Sequence, residues 1–159
     1  MKKSMAVLIL MVAGCSNHHH HEHCGCHGHH GDPVFEKNGL YKIITLDEID
    51  SVTHPTIIRF SSLDERSGFV HLSFGYQVMR TIKSFFKNDT KVYVIALDQE
   101  GLESAGASIC KEANKPGGDI FPHVYNLTTI PVLAIKEIRI FERDAQGHWK
   151  ESHEALSDL

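Results

Sequence analysis

No G-x-S-x-G elbow, Walker loop or H-E-x-x-H pair occurs in these 159 residues, which leaves hydrolase, P-loop and zinc-protease readings without support. No run of like charge marks the part expected to fold, and the formal net charge is −4, so nucleic acid is not an expected partner. Cysteine is sparse. Of four cysteines, Cys15 has a separate role argued below, and the odd remainder, Cys24, Cys26 and Cys110, implies at least one thiol that is free, metal-bound or paired between molecules. The apolar stretch Met5–Gly14 has ten residues, where a membrane-spanning helix needs roughly 20, so it cannot anchor the chain by itself.

That stretch instead reads as a signal peptide. Lys2 and Lys3 form a positive start, Ala6–Val12 an apolar centre, and Val12-Ala13-Gly14-Cys15 ends it with small residues before a cysteine. The sequence VAGC resembles the lipobox of bacterial lipoproteins, which implies cleavage after residue 14 and lipid on Cys15. Several acyl chains anchor stably where one is marginal. The rival is an ordinary secretory signal with an accidental cysteine. Lipidation places the protein in the cell envelope, and Ser16 after the cysteine implies the outer membrane if the cell is Gram-negative.

Residues 15–32 form an arm. Eight of the thirteen histidines and two cysteines fall in SNHHHHEHCGCHGHHGD. Imidazole and thiolate suit Zn, Cu and Ni, and His23, Cys24, Cys26 and His27 place four donors within five residues. The C-x-C spacing is not that of structural zinc modules, so the arm is read either as a metal binder or as a polar spacer. An engineered tag fits poorly, because Glu22, Cys24 and Cys26 interrupt the histidines.

Residues 33–150 are expected to form one α+β domain: a mixed or antiparallel sheet of about five or six strands, one main amphipathic helix and one short helix. Leu40–Thr45 reads as a strand, and Thr45 with Glu48 as a capping box for a short helix to about Val52. Thr56–Phe60 and Phe69–Leu72 read as strands separated by a polar loop, Ser61–Gly68. Ser73 is expected to cap the main helix, Tyr76 to about Lys87. Its Val78, Met79, Ile82, Phe85 and Phe86 face the core, while Gln77, Arg80, Lys83 and Lys87 face outward. Lys91–Leu97 is nearly continuous apolar and β-branched, as in a central strand covered on both faces. Residues 110–126 read as irregular, Val132–Phe141 as the last strand, Asp144–Gly147 as a turn, and residues 151–159 as a frayed polar tail.

Within this domain Leu40-Tyr41-Lys42-Ile43, Gly68-Phe69-Val70-His71-Leu72-Ser73, the Gln77-Val78 helix, Val94–Asp98 and Phe121-Pro122-His123-Val124-Tyr125 occur in an order that resembles the DUF952 family over roughly residues 39–142. The resemblance implies a small domain of undefined biochemical function, with a fold grouped with ADP-ribosyltransferase-like proteins. The chain departs from the pattern at Lys42, where many members have histidine, at Tyr76, where glutamate often completes a serine cap, and at Asn126, where glycine usually follows the tyrosine. Asparagine tolerates the left-handed backbone that glycine permits. Lys42 occupies the position where the superfamily analogy would put a nucleotide contact.

Alternation puts His71 on the strand face opposite Val70 and Leu72, shared with Phe69 and Ser73. A lone histidine there is commonly a core residue bonded to a carbonyl. Joined by His123 and Tyr125, it suggests a cleft for a small polar ligand, with His71 and His123 as hydrogen-bond or acid–base groups, Tyr125 as a stacking or hydroxyl donor, and Ser73 as a further ligand-site residue on the His71 face. Arg59 is positioned for an anion, and Glu112 falls where the family often has a glutamate. Glu112 has a solvated alternative and Arg59 a snorkelling one.

Overall fold

The computed structural model describes residues 33–45, 48, 58 and 60–152. The chain divides into two units, Met1–His30 and Gly31–Leu159, and the first, with the lipobox and most of the arm, lies outside the described residues.

The described part of the second unit is α+β and antiparallel, as the patterning implied. Its strands are divided between two sheets. The larger, in the order β3-β1-β4-β7-β8, contains β1 (Leu40–Ile44), β3 (Ser73–Phe74), β4 (Lys91–Leu97), β7 (Ile135–Arg143) and β8 (Trp149–Ser152). The smaller, in the order β2-β6-β5, contains β2 (Val70–His71), β5 (Ser108–Ala113) and β6 (Ile120–Tyr125). Every pairing is antiparallel. The helices are α1 (Ser62–Ser67), α2 (Val78–Phe85) and α3 (Gln99–Ser104).

Strand β4 explains its own composition. Tyr93, Ile95 and Leu97 belong to one core cluster, with Val70 and Val124 of the small sheet, while Val92 and Val94 belong to another beneath Val78 and Ile82 of α2. A strand covered on both faces needs an apolar side chain at almost every position. Expected strand Thr56–Phe60 is represented by a bridge between Ile58 and Ile130, and the short helix expected to Val52 lies outside the described residues apart from Glu48, whose carboxylate accepts from Thr45 N at 3.0 Å.

Several local expectations are corrected. Ser61–Gly68 is helical, because Ser61 and Asp64 cap each other reciprocally at its start and Gly68 ends it at φ 75°. Ser73 does not cap the main helix. It lies in β3 and donates to Thr81 Oγ1 at 3.2 Å, while the Phe74 N–H is met by Gln77 Oε1 at 2.9 Å. Gln77 is therefore buried, not outward-facing, and its amide also donates to the Ile120 carbonyl. Phe85, expected in the core, is 70% exposed. Residues 110–126 are not irregular but mainly the β5–β6 hairpin. Pro122 concealed this strand, since proline normally interrupts a sheet; its carbonyl nevertheless accepts from Leu72 N at 3.0 Å. A short helix, α3, follows Asp98, whose side chain caps Gly101 N. The last expected strand begins with a 3-10 turn at Val132–Ala134. The expected turn at Asp144–Gly147 is present. The edge strand β8 carries order to Ser152, past the boundary expected at residue 150, and Glu151 holds Arg139 through two 2.7 Å bonds.

Candidate functional site

Strands β2 and β6 run side by side with His71 opposite His123. Val70 and Val124, one residue along, are buried in the core. Alternation therefore turns both histidines to the other face of the small sheet. Their ring centroids are 5.3 Å apart, and Phe69 lies against both, at 4.6 Å from His71 and stacked at 4.2 Å on His123.

Each imidazole is oriented by a different carboxylate. His71 Nδ1 donates to Asp64 Oδ1 at 2.9 Å, and His123 Nδ1 donates to Glu112 Oε2 at 3.0 Å. An ionised carboxylate only accepts, so Nδ1 carries the hydrogen in both rings and Nε2 is left for other business. His123 is 4% exposed, and its Nε2 is buried without a protein partner.

Asp64 joins α1, β1 and β2. Its side chain is fully buried and accepts from Lys42 Nζ at 2.5 Å, from Ser61 N at 3.1 Å, and from both the backbone N and Nδ1 of His71 at 2.9 Å. Burial alone would raise its pKa. The hydrogen bond from His71 and the charge of Lys42 outweigh that and hold the carboxyl well below its usual range. Lys42, the departure in the first strand, is thus the buried counter-ion of Asp64 and also donates weakly to the His71 carbonyl at 3.4 Å.

These groups meet at a cavity of about 490 Å³. Of the residues expected at a ligand site, His71, Ser73 and His123 line it. Glu112 and Tyr125 stand behind His123 instead: the Tyr125 hydroxyl donates to Glu112 Oε2 at 2.8 Å, the atom that also holds His123. The hydroxyl first, then His123, lowers the Glu112 pKa, and Glu112 in turn raises that of Tyr125. Arg59 and the metal candidates His23, Cys24, Cys26 and His27, like Cys15, lie outside the described residues. Among the described residues no group of three or more His, Cys, Asp or Glu is placed to hold a metal ion.

Lys42, Asp64, Glu48 and Asn114 are lining residues the sequence reading did not select. Burial raises the Glu48 pKa despite the bond from Thr45 N and the charge of Lys42. The remaining wall includes Leu63, Phe85, Phe86 and Phe121, so the cavity is polar at the histidines and apolar away from them. Asp64 carries a readable signal in the Ser61-x-x-Asp64 cap, Glu48 in its cap with Thr45, and Lys42 as the departure in the first strand, whereas Asn114 carries none. Just beyond the site Asn126 sits at φ 65°, the left-handed conformation anticipated for it.

Residues 43–138 match the family described as protein of unknown function, DUF952. The chain belongs to this family. Among solved structures, the crystal structure of protein CC0527 from Caulobacter crescentus is 28% identical, with a TM-score of 0.57 over 70% of this chain and 93% of that one. The solution NMR structure of the same protein gives a TM-score of 0.55 at 28% identity, over 69% and 90%. No curated protein matches. The DUF952 match spans most of the cavity wall, including His71 and His123, with Lys42 one residue outside it.

Proposed function

We propose that this DUF952 domain binds a small polar, nucleotide-like ligand in the cavity at His71 and His123, and that lipid on Cys15 holds it to the cell envelope. The observation that supports the first part is His123 Nε2: a buried polar atom without a protein partner is costly, and it belongs to a residue that lines the cavity. The ring is fixed by Glu112 and by stacking on Phe69, so little entropy is lost when a ligand arrives. The aromatic wall suits a flat ring and the histidine end suits its polar substituent. Kinship with ADP-ribosyltransferase-like folds belongs to the same proposal. The test is a panel of nucleosides, nucleotides and sugar phosphates, measured by ligand-detected NMR and thermal shift on wild type, His71→Ala and His123→Ala. A ligand that binds wild type and is lost in both variants supports the reading; panel members that bind all three proteins equally refute it.

A second reading has its own support in composition. The run His23-Cys24-Gly25-Cys26-His27 gives a compact set of soft and borderline donors for Zn, Cu or Ni, with the folded domain as a platform. Metal content that follows the arm, and is lost in Cys24→Ser/Cys26→Ser, distinguishes it.

A further inference from the structure

The nature of the polar substituent follows from where the protons and charges lie, an inference that rests on ligand binding in this cavity. With both imidazoles neutral, each Nδ1–H is committed to a carboxylate and each Nε2 presents a lone pair. Such a pair accepts hydrogen bonds and repels an anion. Protonation reverses this: both Nε2 atoms become donors, and Asp64 and Glu112 stabilise the imidazolium charges from behind. Two imidazolium rings with centroids 5.3 Å apart repel each other unless an anion lies between them. The other groups facing the pair are Lys42 beside Asp64, Glu48 in the same cavity, Tyr125 on Glu112, and Cys110, which is paired with His123 across β5 and β6. Lys42 offsets the Asp64 charge and disfavours a cationic guest, and its charge also acts on Glu48, the other acid among the described lining residues.

We infer that His71 and His123 together grip the phosphate of an aryl or nucleoside monophosphate, and that its binding draws a proton from solvent onto the imidazole pair. The phosphate oxygens accept from the two Nε2–H groups. The aromatic portion lies toward Phe85, Phe86 and Phe121. Glu112 acts as a positioning residue, fixing the His123 ring through its Nδ1–H without touching the ligand.

The experiment is calorimetry on the full-length chain near neutral pH, titrating phenyl phosphate, phenol and adenosine in two buffers of different ionisation enthalpy. Phenyl phosphate is expected to bind at least about tenfold more tightly than phenol, as charge-assisted hydrogen bonds require, with a buffer-dependent heat that reports proton uptake. Glu112→Gln should weaken phenyl phosphate about tenfold or more, reduce the uptake and leave the melting temperature nearly unchanged, since Glu112 is half-exposed. Equal affinity for phenol and phenyl phosphate, or binding without proton uptake, overturns the inference. So does binding that survives both His71→Gln and His123→Gln, which would assign the phosphate to the histidine-rich arm. Adenosine bound in the cavity without phenyl phosphate overturns the inference and leaves the ligand-binding reading standing; loss of all three overturns both.

Discussion

His71 and His123 face one another across two antiparallel strands, yet each draws its orientation from a different element, His71 from Asp64 in α1 and His123 from Glu112 in β5. Neither ring depends on the other for its position. Removing one should therefore leave the second in place.

His71→Ala and His123→Ala are accordingly expected to melt cooperatively, each losing about 1.5–3 kcal/mol, the net worth of a hydrogen bond to a charged group. In His71→Ala, Asp64 still accepts from Lys42, Ser61 and the residue 71 backbone. In His123→Ala, Glu112 is exposed enough for water to replace the imidazole. Thermal melts and ligand titrations on the same samples check this: binding should disappear while folding persists, and unfolding of both variants would return the histidines to a core role.

Gly75 makes a separate prediction about how the first described residues are held. A Cβ built there would lie 2.0 Å from the Glu36 carbonyl oxygen, a backbone atom that cannot swing away. Gly75→Ala should therefore force the segment around Phe35 and Glu36 off the 3-10 turn Gly75–Gln77 that precedes α2, and cost about 1–3 kcal/mol, as overpacking does. Chemical denaturation checks the cost, and hydrogen exchange at Glu36 N, which donates to the Tyr41 hydroxyl at 3.0 Å, checks the place.

The anchor is tested in cells. If Cys15 carries lipid, Cys15→Ser should abolish metabolic labelling with palmitate and leave an uncleaved or mislocalised precursor. Unchanged labelling and membrane retention would refute it.

How far the sequence reached depended on whether a residue's partner was near in the chain. Strand β4 and the Val78/Ile82 stripe were legible because period and composition report burial directly. The shared face of His71 and His123 could be anticipated from alternation in one strand and a stiff Pro122 in the other, but not that they pair in register, since β2 and β6 are joined only by the fold. Gln77 was misread because a polar side chain at an outward-seeming position can be buried when it bonds to two backbone groups, Phe74 N and the Ile120 carbonyl. Helix α1 was missed although Ser61-x-x-Asp64 is the same device that Thr45 and Glu48 displayed, the shorter aspartate being the less familiar closing residue. Nothing local reveals that Lys42 meets Asp64: 22 positions separate them.

That ion pair yields the sharpest expectation for stability. Asp64 is fully buried and holds Lys42, Ser61 and His71 at once, so Asp64→Ala should cost about 3–5 kcal/mol, the range for breaking a buried pair and leaving one charge uncompensated. The sign with pH follows from the direction of its shift. Its folded-state pKa lies below the unfolded value of about 3.9, so folding favours the ionised form, and the contribution is complete above that unfolded value. It is lost progressively as pH falls below it toward the depressed folded-state value. Urea denaturation of wild type and Asp64→Asn from neutral pH down to about pH 3 should show a gap that is constant above roughly pH 5 and narrows in acid. Lys42→Met separates charge from packing. It leaves the Asp64 carboxylate buried with three donors but no lysine, so it should destabilise near neutral pH and move the onset of acid unfolding upward. A gap between wild type and Asp64→Asn that widens on acidification would mean that Asp64 is not the ionised hub its hydrogen bonds describe.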